Sequence, residues 1–499
     1  MGLFGEQPPE IPFHAEKKPE FTGTLNRDNL KAVFSGCVDY MERQVCSAVT
    51  GERFDLCWVD GMVRGERLND YVIHPLCTVA LPRTTQAKAA VLASGTWNLS
   101  VQERTTLDEV VQDLVIGFAA LFCEDGVLTC GVATEEKRGI SPPENEVADK
   151  GSKDSFVESL RTNTSLTRRH LRTPHLRVEE FTVGRESRTP VDLIYLDGLT
   201  NQDLVKAIRE KIVDIDIDGL LSTGDFESYV AQRKGASFPQ MVFTERPDRF
   251  CRGLLNGRVG VLMEGIPLGG ILPGNLAQFV EAPQDREYHW IIASALLLLR
   301  YLCLLATVLL PALYIAIASF HFEMIPTKLA MSIISSKQNV PFSTPMEVLM
   351  LLVAFEILQE AGLRLPKTIG QTVSIIGGLV VGQAAVEAKI LSPAVVIVVA
   401  AAGIAGFTMP NQDFSNALRV WRFVLAALAG LAGLLGMVAG AALLICHLAD
   451  MESFGIPYLT PFAVDAGQQV EDHAVFRQPL WKGKLRELWL RPENQRRQK

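Results

Sequence analysis

No pair of the nine cysteines is spaced C-x-x-C, and none stands at a zinc-binding distance from a histidine. The 499 residues also lack a Walker loop, a G-x-G-x-x-G turn after a strand, an H-E-x-x-H helix and a G-x-S-x-G elbow. The usual nucleotide, metalloprotease and serine-hydrolase sites are thereby excluded. Basic excess is missing as well: a net charge of −8 argues against nucleic acid as a partner. The eight histidines are dispersed, so no metal site, no cofactor and no catalytic residue is expected. The opening "MGLFGEQPPEIPFHAEKKPEF" has no apolar core of signal-peptide length, roughly 7–15 residues. Gly2 is not followed by the serine or threonine of a myristoylation signal. The first part of the chain is therefore expected in the cytoplasm, with its scattered cysteines reduced.

What is present falls into two halves. Residues 1–288 carry scattered charge, whereas 290–448 are dominated by Leu, Val, Ile, Ala and Gly. The expected fold class is an α/β soluble N-terminal region of two related subdomains, followed by an all-α multi-span transmembrane domain. The boundaries are 1–135 for the first subdomain, 136–155 for a linker, 156–288 for the second subdomain, 289–449 for the membrane domain and 450–499 for a basic cytoplasmic tail. The two subdomains are inferred from "FDLCWVDGM" (54–62) and "VDLIYLDGL" (191–199), each a buried-strand pattern closed by an acidic residue and glycine. A third stretch of that shape is "RVGVLMEGI" (258–266). After the second, "NQDLVKAIREKI" places Leu204, Ile208 and Ile212 at helical spacing.

Two polar motifs stand out in this half. The helix beginning at "FVESLRTNTSLTRRHLRTPHL" carries Arg168, Arg169, His170 and Arg172, either on a solvated face or against a neighbouring subunit or anionic lipid. In "SFPQMVFTERPDRF", Pro247 makes a stiff turn that opens a helix, and Glu245, Arg246 and Asp248 are placed to form a local ion-pair network. That network is structural in character, since no nucleophile accompanies it.

The apolar half offers five segments of membrane character: 290–320, 347–366, 369–390, 392–410 and 417–449. Arg300 lies a third of the way into the first, where a charge must snorkel or face protein. In the third, Thr368, Thr372, Ile376, Leu379, Gln383 and Glu387 share one helical face. Such a face either lines a pore, with an apolar constriction between polar ends, or packs against a neighbour. Glu356, Glu360 and Arg364 form a ladder at steps of four in "EVLMLLVAFEILQEAGLRLP", a charged face able to neutralise itself in part and to act as a gating elbow. Glycine and alanine at steps of three and four in the last two segments predict close helix packing or oligomerisation. The tail from Arg477 has eight Lys/Arg against two Glu and is expected in the cytoplasm. With a cytoplasmic N-terminus this requires an even number of crossings, and 347–366 is the segment expected not to cross.

Taken in order, "VDLIYLDGL", "FPQMVFTERPD", "GRVGVLMEGIP", "LPALYIAIASFHFEMIPTKLA", "VPFSTPMEVLMLLVAFEILQEAGLRLP" and "SFGIPYLTPF" resemble the A subunits of GerA-type spore germinant receptors and the related SpoVAF protein. The resemblance runs from about residue 136 to the end and is weak before it. It implies an integral protein of the spore inner membrane that acts in germination as an oligomeric channel subunit releasing monovalent cations. It also implies two partners, a B subunit of amino-acid-transporter fold and a lipoprotein C subunit. A non-conducting scaffold that assembles the transporter-like partner is the competing expectation.

Overall fold

The structure is a computed structural model and describes residues 21–82, 84–93, 100–133, 143, 146, 150–364, 382–463 and 475–497. Its first half holds two five-stranded sheets. One is formed by β1 (Tyr40–Cys46), β2 (Arg53–Val59), β3 (Val101–Arg104), β4 (Phe118–Cys123) and β5 (Gly126–Gly131), in the order β1-β2-β4-β5-β3. The other is formed by β6 (Leu176–Val183), β7 (Thr189–Leu196), β8 (Val242–Thr244), β9 (Val259–Met263) and β10 (Gly269–Leu272), in the order β6-β7-β9-β10-β8. The two orders are the same shifted by five strands. The matched stretches of the sequence are β2 and β7, the second strand of each sheet, and each ends in a glycine in the left-handed region, Gly61 at φ +79° and Gly198 at φ +71°.

All pairings between these strands are antiparallel. The alternation of strand and helix therefore does not build a parallel sheet. The links β1–β2, β4–β5, β6–β7 and β9–β10 are only a few residues long, and a parallel neighbour would need a crossover of a dozen or more. Helices enter where the third strand of each unit leaves for the sheet edge. α1 (Leu107–Ile116) precedes β4, opened by a capping box between Thr106 and Glu109. Its counterpart in the second unit precedes β9 and starts at Pro247. The helix predicted after β7 runs Gln202–Val213, capped by Asn201, and buries Leu204, Ile208 and Ile212 against the second sheet.

The sheets are joined by a buried ion pair. Arg168, on α2 (Leu160–His170), donates through two guanidinium nitrogens to Asp39, ahead of β1, and both side chains are 1% exposed. The same guanidinium donates to the Leu176 carbonyl at 3.2 Å, and the Val38 amide donates to the Val178 carbonyl at 2.9 Å. Arg168 thus occupies neither a solvated face nor a subunit or lipid contact. The helix turns it inward because an uncompensated Asp39 would otherwise be buried.

The apolar half comprises α3 (Trp290–Phe320), α4 (Thr327–Lys337), α5 (Thr344–Arg364), α6 (Pro393–Gly406) and α7 (Gln412–Ala449). Two of these, α3 and α7, are long and apolar enough to cross a membrane. However, α7 is not one rod. Ala432 (φ −132°, ψ 16°) and Gly433 (φ +61°, ψ −137°) break it, and the two legs fold back on each other. The Trp421 and His447 rings lie 5.6 Å apart. In a continuous helix, 26 residues of separation would place them about 39 Å apart. Gly433 is needed at the turn, since its φ suits glycine and a Cβ there would lie 2.9 Å from the Phe320 ring.

Replacing Arg168 with Ala leaves Asp39 buried and uncompensated. The expected loss is roughly 3–5 kcal/mol, read from denaturant unfolding of the full chain in detergent; a loss below about 1 kcal/mol would show that the pair does not join the sheets. A second expectation concerns pH. Burial pushes the Asp192 carboxyl on β7 up to about 7, against the pull of the Thr164 hydroxyl, which donates to it at 2.8 Å. A raised carboxyl binds its proton more tightly in the folded state, so its contribution is present below the ordinary carboxylate range and is lost as pH rises toward 7. Asp192→Asn should flatten stability over that window and stabilise at pH 8. Parallel pH profiles for the two proteins would refute this.

Candidate functional site

The densest charge within the apolar helices is at the middle of α5. The Glu356 carboxylate accepts from Arg422 on the first leg of α7 and pairs with Arg419, one turn earlier, at 3.5 Å. Arg422 is 2% exposed, and its Nε has no hydrogen-bond partner among the described residues. The neutralising partners of Glu356 therefore come from another helix rather than only from the ladder of its own. Glu360 lies one turn on and is exposed, and Arg364 closes the helix, its side chain outside the described residues. A carboxylate and two guanidiniums among apolar helices hold each other by charge, so relative sliding of α5 and α7 separates opposite charges in a medium of low dielectric.

α5 is set against its neighbours by contacts that admit no slack. A Cβ at Gly403 of α6 would lie 2.5 Å from the Phe355 ring, so glycine alone fits there. At the start of α5, Glu347 is fully buried. Its carboxylate accepts from the Ser392 amide at 2.8 Å, at the N-terminus of α6, and pairs with Lys337 of α4 at 3.4 Å. Glu347 thus ties three helices together. Sequence reading passed over it because it stands alone at the edge of an apolar run; the signal was a carboxylate three residues after Thr344, a capping pattern for α5 and not for α6.

Of the face predicted to line a pore, Thr368, Thr372, Ile376 and Leu379 lie outside the described residues. Gln383 and Glu387 are described: they are exposed, one helical turn apart, and the Gln383 amide donates to the Glu387 carboxylate at 3.1 Å.

In the soluble half, Arg246 is 1% exposed and donates to both oxygens of Asp248 at 2.9 and 3.0 Å, across Pro247 at the first turn of the helix Pro247–Leu255. Burial and the two bonds act on Asp248 in opposite directions, and the bonds win, holding it below the usual carboxylate range. The Glu245 amide donates to Glu146, which also receives Thr244 and Arg249. This motif thus holds Glu146 against the second sheet.

The soluble and apolar halves meet at Arg300, which donates through two nitrogens to Asp285, itself 2% exposed. Beside it Phe279 stacks on Phe414 (5.7 Å, 9°), Phe238 packs on both Phe414 and Tyr458, and the Ser237 hydroxyl accepts from Trp421 at 2.9 Å and contacts His447 at 2.9 Å. Residues from the beginning and the end of α7 therefore both touch the soluble half. The tail returns to it too, where Glu487 accepts from Arg258 and from the Asn256 amide.

Gly403→Ala should cost about 1–3 kcal/mol by overpacking, and less in a Phe355→Leu background; an equal cost in both would show that the ring is not the obstacle. For Glu356→Gln and Arg422→Gln, a double-mutant cycle on thermal stability should show coupling of roughly 0.5–3 kcal/mol, and additive effects would mean that the pair is not formed.

Comparison with known proteins places these features in a lineage. The family model described as Bacillus/Clostridium GerA spore germination protein matches residues 28–488, so the likeness extends well before residue 136 and includes the first sheet. Spore germination protein KA of Bacillus subtilis (strain 168) is 35% identical over 88% of this chain and 81% of its own length. Spore germination protein B1 of the same strain is 34% identical over 95% and 98%, and the membrane protein YfkQ is 34% identical over 91% and 89%. Among solved structures, the N-terminal domain of the A subunit of the Bacillus megaterium spore germinant receptor GerK3 covers 50% of this chain and 96% of its own, at 24% identity and a TM-score of 0.40. That likeness is too weak to carry an argument.

Proposed function

Because this chain belongs to the GerA family of spore germination proteins, we propose that it is a membrane-embedded A-type subunit of a germination complex, and that copies of it assemble around a path for monovalent cations. The observation that carries this reading is the Glu356–Arg422 pair, a charge cluster between apolar helices where charge is costly unless used. In this account α5 is the gating elbow, with Glu356, Glu360 and Arg364 on its charged face and Glu356 bonded to α7, and the stripe Thr368, Thr372, Ile376, Leu379, Gln383 and Glu387 that follows lines the path. Its partners are a B subunit of amino-acid-transporter fold and a lipoprotein C subunit, and its site is the spore inner membrane with the sheets in the cytoplasm.

An even number of crossings fits this account, with 347–366 inferred to be one of them rather than the segment that does not cross. α3 leaves the soluble half near Arg300 and ends with Phe320 against the turn of the α7 hairpin. α5 starts near that turn, with Pro345 beside Gly430, and runs back past Arg419 and Arg422. The additional pass comes from α7 itself, which goes out and returns, and the tail ends against the soluble half.

Two experiments test the proposal. Purified full-length protein in liposomes should pass potassium or sodium in at least one state, and polar substitutions of Ile376 or Leu379 should raise the leak; liposomes tight in every state would favour a non-conducting scaffold instead. In spores, Glu360→Gln should slow nutrient-triggered germination with membrane insertion intact, and wild-type germination would remove α5 from the gate.

A further inference from the structure

Between the helix Pro247–Leu255, the segment 278–286 that leads into α3 and the tail at Glu487, a cavity of about 50 Å³ is lined by Arg249, Arg252, Arg286, Gln278, Glu281 and Glu487, among others. A single water occupies roughly 10–15 Å³ on such a scale, so the space suits a few waters or one tetrahedral oxyanion. Most guanidiniums around it are accounted for. Arg249 pairs with Glu146, Arg286 with Glu281 at 2.7 Å, and Arg258 with Glu487. Arg252 is different: among the described residues its guanidinium has neither a hydrogen bond nor an ion pair, although it lines the cavity. Close by, Arg477 keeps one terminal nitrogen buried without a hydrogen-bond partner among the described residues. Burial, with Arg286 beside it, pushes Arg252 down to about 10, and burial lowers Arg477 as well. Arg252 thus lines a cavity whose carboxylates are already engaged, and the charge of Arg477 is near enough to act on it, an arrangement that favours an added anion.

The position of the cavity narrows the choice of anion. Arg286 stands four residues before Trp290, where α3 begins, and Arg477 is fastened one turn into that helix, its amide donating to the Ser294 hydroxyl at 2.8 Å. Around this level Tyr288, Trp290, Ile291, Phe476 and Trp481 are all exposed, Trp481 to 70%. Exposed aromatic rings flanking the start of an apolar helix mark the headgroup level of a bilayer. We propose that Arg252 and Arg477 bind the phosphate of an anionic phospholipid headgroup, with Arg286 shared between that phosphate and Glu281. The Gln278 amide, whose oxygen has no partner, can present its NH₂ to the same phosphate after a flip. This inference rests on α3 entering a membrane but not on any ion path.

The test uses the full-length protein in neutral detergent, after its recovery from the membrane fraction, which checks membrane insertion separately. Phosphatidylglycerol should raise the thermal midpoint by a few degrees, whereas phosphatidylcholine of the same chains and millimolar inorganic phosphate should not. Arg252→Gln and Arg477→Gln should each abolish most of that rise without lowering the midpoint in the absence of lipid, since each removes an unpaired cation, and Arg252→Lys should retain part of it. A rise no larger than that with phosphatidylcholine, or one that survives both Gln substitutions, overturns the site. An equal rise with inorganic phosphate overturns the lipid as its source. Should a variant fail to fold, native mass spectrometry of the wild type decides: phosphatidylglycerol retained in preference to phosphatidylcholine supports the site, and equal retention refutes it.

Discussion

The contact between Arg300 and Asp285 sets the relation between the two halves of the molecule. A guanidinium ten residues into an apolar helix is tolerable only where a carboxylate meets it. Asp285 is available because it is fixed already, its other task being to accept from the Ala282 amide at 2.9 Å in the turn that ends the soluble half. The pair fixes both the depth of α3 and its rotation about its own axis. Because α5, α6 and α7 all pack on α3, they take their orientation from this contact together with those that Phe279, Phe238 and Ser237 make to α7.

The sequence disclosed the parts of the fold that are local. The duplicated strands were visible because "FDLCWVDGM" and "VDLIYLDGL" repeat the same order of apolar and acidic residues and end in the same turn chemistry. The helix after β7 was visible from the spacing of Leu204, Ile208 and Ile212, and the Arg246–Asp248 pair from a two-residue separation across Pro247. The antiparallel sense of the sheets followed from link lengths, which a reading by element type alone does not weigh.

The parts that escaped are long-range. Asp39 with Arg168, Glu356 with Arg422, and Arg258 with Glu487 are separated by 129, 66 and 229 residues. In each case one or both members look like ordinary surface charges when read alone. The hairpin in α7 escaped for a related reason. Its turn is made by Ala432 and Gly433, inside a run where glycine and alanine recur throughout, so nothing distinguishes the one glycine that reverses the chain from those that let helices approach. Only the partners, Phe320 at the turn and Ser237 between Trp421 and His447, show which it is.

The bond between Arg258 and Glu487 bears on the order in which the chain is completed. Arg258 is 1% exposed and stands immediately before β9, at the centre of the second sheet. Its carboxylate partner is synthesised only after every apolar helix has left the ribosome. Until then Arg258 lacks the carboxylate that pairs with it in the complete fold, so the soluble half cannot reach its final stability ahead of the helices it will hold. Synthesis of the apolar half thus precedes the last step of folding in the domain that came first, and a chain cut short before Glu487 would carry that deficit permanently.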